Sequence, residues 1–126
     1  MRLLLDTSVL IDALSFRQGR QELLAQLVRD GHTLSTTAVN IAEVYAGMRS
    51  EEEQQTEALL AALECYDITA YAGRMAGHLR NKWAKKSRTI AIADAMVAAI
   101  ALEQDCTLLT DNRRDFPMPD LDLYPL

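Results

Sequence analysis

Residues 2–8 read RLLLDTS: three leucines in a row, a carboxylate at Asp6, then two hydroxyls. Residues 106–111, CTLLTD, repeat the arrangement, with Thr110 and Asp111 directly after an apolar run. Such runs, bounded by turn-forming residues, are too short for helices and read as strands covered on both faces. Strands of that kind belong to parallel sheets, whose crossovers lay helices against each face. Asp6 and Asp111 would then project from the same edge of the sheet, the carboxyl-terminal edge at which α/β folds bind ligands.

The segments between the two runs carry helical periodicity. A short helix or turn is expected over 8–15. Residues 19–30 (GRQELLAQLVRD) put Leu23, Leu24, Leu27 and Val28 on one helix face, and Gly31 supplies a stop. HTLST at 32–36 reads as a second strand, followed by a helix from about 37 to 48 that Ser35, Thr36 or Thr37 can cap. Residues 51–64 (EEEQQTEALLAALE) form a helix with acids in its first turn, where the dipole favours them. YDIT at 66–69 is a short strand candidate, followed by a basic helix over 70–86 and an alanine-rich helix over 92–104. CTLLT is a further strand, DNRRDF a loop, and the tail LDLYPL an edge strand. Strands alternating with helices predict an α/β domain spanning 1–126, a three-layer sandwich whose central, mostly parallel sheet is flanked by helices.

At 126 residues and 49% apolar content the chain can build its own core, which excludes disordered and fibrous classes. Asp6 interrupts the only apolar segment near the N-terminus, and no run approaches the roughly 18 residues of a membrane span, so a cytoplasmic protein is expected. Cys65 and Cys106 lack metal-ligand spacing and read as buried small hydrophobes, and His32 and His78 are isolated. A net charge of −5 argues against binding nucleic acid by bulk charge. The distribution is uneven, however. Residues 73–89 hold Arg74, Arg80, Lys82, Lys85, Lys86 and Arg88 around Trp83, six of the 13 basic residues, and no acid. A solvated helix face would look the same; so would a groove for a phosphate backbone.

Two more carboxylates lie in apolar sequence. Glu43 sits within VNIAEVYAG, and Asp94 is the one charge among the 14 residues of TIAIADAMVAAIAL. An ionised carboxylate in apolar surroundings is costly unless paired or bound to a metal. Asp6 or Asp111 taken alone could be an ordinary turn or N-cap residue, and Asp94 is partly explained by the first turn of its helix. Only Asp111 has basic neighbours in sequence, Arg113 and Arg114. If all four converge, repulsion is severe: a like-charged pair at about 4 Å costs about 1 kcal/mol in water and about 4 at an effective dielectric of 20. Oxygen ligands without histidine or cysteine specify a hard cation, Mg²⁺ or Mn²⁺, and the chemistry implied is metal-assisted attack of water on a phosphodiester.

The segments LLLDTSVLID, TAVNIAEVYAG and IAIADAMVAAIALEQDCTLLTDNRRDF, in that order, resemble the successive motifs of PIN-domain ribonucleases, and in size and motif set the VapC-type toxins among them. The resemblance covers nearly the whole chain. It implies a parallel sheet flanked by helices, and it matches the family's four acids to Asp6, Glu43, Asp94 and Asp111. It also matches hydroxyls that orient carboxylates or waters to Thr7 and Thr110, with Asn112 and Asp115 assisting. The chain departs from the pattern in KKSRTIAIAD, where many members carry a glycine before the third acid. What the resemblance implies further is a Mg²⁺-dependent endoribonuclease, inhibited by a small cognate antitoxin and usually homodimeric, with Arg80, Lys82, Lys85, Lys86 and Arg88 on the RNA backbone. A housekeeping nuclease and a non-catalytic PIN-like regulatory module are the alternatives. A phosphotransferase of the haloacid-dehalogenase kind would need a second aspartate where Ser8 stands.

Overall fold

A computed structural model describes all residues, 1–126. Four strands, β1 (Arg2–Leu5), β2 (Thr33–Thr37), β3 (Glu64–Tyr66) and β4 (Thr107–Leu109), form one sheet in the order β3-β2-β1-β4. Every pairing is parallel, with Leu3 opposite Leu34 on one side and Leu4 opposite Leu108 on the other. Six helices connect and cover the strands: α1 (Thr7–Leu14), α2 (Arg20–Arg29), α3 (Ala38–Ala46), α4 (Glu53–Ala61), α5 (Ala70–Ala84) and α6 (Ile92–Glu103).

The leucine runs behave as buried central strands should. Leu3, Leu4, Leu5, Leu108 and Leu109 are all 0% exposed, and their side chains alternate between the two faces of the sheet. Leu4 and Leu108 join a core with α5 and α6, whereas Leu3, Leu5 and Leu109 join one with α1 and α2. On the first face the alanines of α6 lie close against Ala72 and Ala76 of α5, small side chains that let the two helices approach. The second strand is polar yet buried from Leu34 to Thr37: Ser35 Oγ donates to the Leu3 carbonyl at 2.8 Å and Thr36 Oγ1 to the Leu5 carbonyl at 3.1 Å. Its hydroxyls thus tie β2 to β1 instead of packing as hydrocarbon.

Three expectations shift. The third strand is Glu64–Tyr66, two residues ahead of YDIT, because the preceding helix ends at Ala61 and releases Leu63 and Glu64 early. The tail makes a single parallel bridge, Leu108 with Leu123, and no strand, since Pro125 allows no ladder beyond it. Cys65 is exposed on the sheet's edge strand; only Cys106 is buried.

In the order β3-β2-β1-β4, the chain leaves β1 toward β2 and returns to its other side as β4. The reversal point therefore lies between β1 and β4. Ligands of open α/β sheets bind beyond the carboxyl ends of such a strand pair. Asp6 follows β1 there, and Thr110 and Asp111 follow β4.

Candidate active site

Asp6 occupies the N-cap position of α1, but its carboxylate makes no capping hydrogen bond. It is 5% exposed and is held from two sides instead. Thr110 Oγ1 donates to Oδ2 at 2.7 Å, and Asn40 Nδ2 donates to Oδ1 at 3.2 Å. Thr110 stays in place because its hydroxyl accepts the Asn112 backbone N–H at 3.0 Å. Asn40 is fixed by the cap of α3. Thr37 Oγ1 accepts from the Val39 and Asn40 backbone N–H groups and donates to Asn40 Oδ1 at 2.7 Å. The second Asn40 amide bond goes to Thr7 Oγ1 at 3.0 Å, and Thr7 donates onward to Glu43 Oε1 at 2.7 Å. One network, buried around Asp6 and Asn40 and open to solvent at Glu43, therefore links the ends of β1 and β4 to α3 and joins Asp6 to Glu43.

Thr7 and Thr110, singled out in sequence, both belong to this network. Thr37 is the one of the three expected cap candidates that caps α3, whereas Asn40 does not stand out in sequence. An asparagine in apolar sequence, one turn ahead of Glu43 and three residues after a threonine that can cap, is the signal that could have pointed to Asn40.

Asp94 sits in the first turn of α6, half-buried. Burial raises its carboxyl to about 6, and Asp115, then Asp6, then Glu43 add like-charge repulsion in the same direction. Asp6 is raised as well, chiefly by burial and partly by Glu43, against the bonds from Thr110 and Asn40 that favour its charged form. Four acids thus share one field: Asp6, Glu43, Asp94 and Asp115. Glu43 is more exposed than its apolar sequence neighbours suggest, since α3 buries Val39, Asn40 and Val44. As the side chains stand, no three acids close around a single point.

A cavity of about 490 Å³ opens beside Asp94 and is lined by Asp111, Asn112 and Asp115 together with Arg88, Arg113 and Arg114. Of the five basic residues expected on RNA, Arg88 reaches this cavity, and its guanidinium donates to the Arg114 carbonyl. Arg80, Lys82, Lys85 and Lys86 are exposed on the C-terminal part of α5 and the turn after it, with Lys86 4.7 Å above the Trp83 ring. Arg113 and Arg114, the neighbours of Asp111 in sequence, line the cavity but make no ion pair with that carboxylate. The cation that Asp111 meets is a different one, Arg20 of α2, whose Nη2 lies 2.5 Å from Asp111 Oδ1.

The family model of the PIN domain matches residues 3–120. The chain belongs to the PIN-domain family. Ribonuclease VapC19 of Mycobacterium tuberculosis is 34% identical over 119 residues, covering 94% of this chain and 95% of that protein. Ribonuclease VapC10 of the same species is 32% identical over 116 residues, covering 92% and 86%. Among solved structures, this PIN domain superposes on VapBC2 of Rickettsia felis bound to a promoter DNA fragment, with a TM-score of 0.84, 25% identity and 98% of each chain covered. VapBC-1 of nontypeable Haemophilus influenzae has the same fold, with a TM-score of 0.82 at 22% identity over 98% and 97% of the chains. Within the family this PIN domain is of the VapC type. No helix in it is long and apolar enough to cross a membrane.

Proposed function

We propose that this PIN domain is a cytoplasmic endoribonuclease that hydrolyses RNA phosphodiester bonds with Mg²⁺ or Mn²⁺, and that it is the toxin of a toxin–antitoxin pair. The observation that carries the reading is Asp6: a buried carboxylate at the sheet's reversal point, unused as a cap, held at both oxygens and facing other acids. Its relatives are ribonucleases by name, and two of its structural neighbours are VapBC assemblies.

The donor set fits a hard cation. Asp6, Glu43, Asp94 and Asp111 offer oxygen alone, with Asp115 lining the same cavity; burial first, and then like charge from Asp115, Asp6 and Glu43, raises the Asp94 carboxyl, a cost that a bound cation would offset. A cation bound among them would supply positive charge to the phosphate and make water a better nucleophile. The chain's own residues do the rest. Thr110 and Asn40 fix the orientation of Asp6, and Thr7 fixes that of Glu43. Arg88, Arg113 and Arg114 on the cavity wall offer guanidiniums to the RNA backbone, contacts that give affinity without reading sequence.

For the antitoxin, an apolar groove of about 530 Å³ runs between α1, α2 and α4, with Phe16 and Val28 exposed at 68% and 58%. A partner segment with an apolar stripe would cover it. Homodimerisation belongs to the same proposal.

Cleavage of a labelled RNA with Mg²⁺, blocked by chelation and restored by added metal, tests the activity. Asp6→Asn and Asp94→Asn should each abolish it while leaving the fold intact. Cleavage by either variant at the parent's rate would overturn the assignment.

A further inference from the structure

The cavity beside Asp94 holds both signs of charge without pairing them. Asp94, Asp111 and Asp115 line it together with Arg88, Arg113 and Arg114, yet no ion pair joins any of these arginines to any of these acids. Opposite charges at such close quarters ordinarily pair, because a guanidinium fork matches a carboxylate at both oxygens. Here two of the forks are anchored elsewhere. Arg88 Nη2 donates to the Arg114 backbone carbonyl, and Arg113 Nη1 donates to the Tyr124 carbonyl at 3.0 Å. Each anchor occupies one nitrogen and leaves the rest of the fork open. An arginine that only solvates a surface keeps its rotamer freedom and needs no anchor.

The anchors are themselves fixed. Arg88 follows Ser87, whose φ of 62° closes the turn after α5, and the Arg88 N–H returns to the Trp83 carbonyl. The Tyr124 carbonyl belongs to the C-terminal tail, which is laced to β4. The Tyr124 N–H donates to the Leu108 carbonyl and the Leu108 N–H to the Asp122 carbonyl, both at 2.8 Å. The tail therefore reaches the loop after β4 and holds Arg113 there, whereas Arg114 lends only its carbonyl.

A volume of about 490 Å³ falls in the range that encloses a small ligand. Open guanidiniums a short way from the acids suit a ligand with more than one anionic group. We propose that Arg88 and Arg113 form a second phosphate subsite, which takes the phosphate next to the scissile one on the RNA strand. The inference rests on the nuclease reading above and adds a requirement of the substrate: a phosphate on either side of the nucleotide in the cavity. The tail acts through Arg113, so Tyr124 contributes by its backbone carbonyl alone.

Calorimetric titration of the full chain in Mg²⁺ tests this by binding, without cleavage. The ligands are adenosine 3′,5′-bisphosphate, which has no diester to hydrolyse, and the 3′- and 5′-monophosphates. The bisphosphate should bind the parent about tenfold or more tightly than either monophosphate, the scale of one charge-assisted contact. Arg88→Gln and Arg113→Gln should each lose most of that advantage. Arg113→Lys should not restore it, because an ammonium lacks the fork that spans a carbonyl and a phosphate. Equal affinity for all three ligands on the parent chain would overturn the subsite, whatever the variants do. A retained advantage in either glutamine variant would overturn that arginine's part, and full recovery in Arg113→Lys would overturn the part of the anchor. Repeating the titrations in EDTA separates the subsite from the metal. Arginine-dependent binding of the bisphosphate that chelation leaves unchanged supports the subsite and counts against the metal-dependent reading.

Discussion

Asp94 shows at the scale of one residue what the site costs. Its folded carboxyl titrates near 6, above the ordinary aspartate value it recovers on unfolding. Between about pH 4 and 6 the native state therefore holds the proton more tightly than the unfolded chain does. Stability is greatest with that proton bound, falls as pH rises through this window, and levels off above it. Asp94→Asn should remove this component of the decline, with urea midpoints read across pH 4 to 8 as the check; parallel profiles for parent and variant would refute it. Asp6, raised by its burial, acts in the same direction. Asn40 is the complementary case. It is wholly buried and gives its amide hydrogens to Asp6 and Thr7. Asn40→Ala should destabilise the fold by about 1–3 kcal/mol, because those acceptors and the Thr37 hydroxyl lose a partner that water cannot readily replace. Chemical denaturation would measure it, and RNA cleavage should fall with it.

Among the elements, the turn between α5 and α6 determines where Arg88 goes. Ser87 adopts φ 62° and the Arg88 N–H returns to the Trp83 carbonyl at 3.0 Å, a helix ending that glycine usually supplies. The family pattern places a glycine in this region; here a serine takes the left-handed conformation. That conformation costs a residue with a Cβ about 1–2 kcal/mol, part of which glycine's greater unfolded-state freedom offsets. Ser87→Gly should accordingly raise stability by about 0.5 kcal/mol, measurable in the urea midpoint. The C-terminal part of α5 has a different task. Replacing Lys82, Lys85 and Lys86 with alanine should weaken RNA binding and lower the slope of log K against log salt by about 2, since each phosphate contact on a single strand contributes about 0.7. An unchanged slope would place the RNA elsewhere on the molecule.

For the whole molecule, the acid field and the apolar groove make two predictions. Mg²⁺ at a hundredfold excess over its Kd should stabilise the protein by about 2.7 kcal/mol at pH 7, and Asp94→Asn should lose most of that gain in thermal unfolding. Expression without a partner should arrest growth, whereas Asp6→Asn should not. Normal growth with an active, folded protein would favour a housekeeping nuclease over a toxin.

The buried leucine runs and the helical periods between them were legible without coordinates, because apolar runs of strand length admit little but a doubly covered parallel sheet. The edge on which Asp6 and Asp111 project followed from that, as did the contrast between acids in apolar sequence and one basic segment. Side-chain partnership was not legible. Asn40 lies 34 residues from Asp6, and Arg20 lies 91 from Asp111, yet each pair is in hydrogen-bond contact. Sequence shows charge and pattern along the chain, but hydrogen bonds and ion pairs act over about 3 Å in space. Only the crossovers that set β1 between β2 and β4 bring those residues together. The strand pattern at RLLLDTS was enough to place Asp6 at a site. Which groups hold Asp6, and which cation takes Asp111, was decided by the packing of α2 and α3 against that edge.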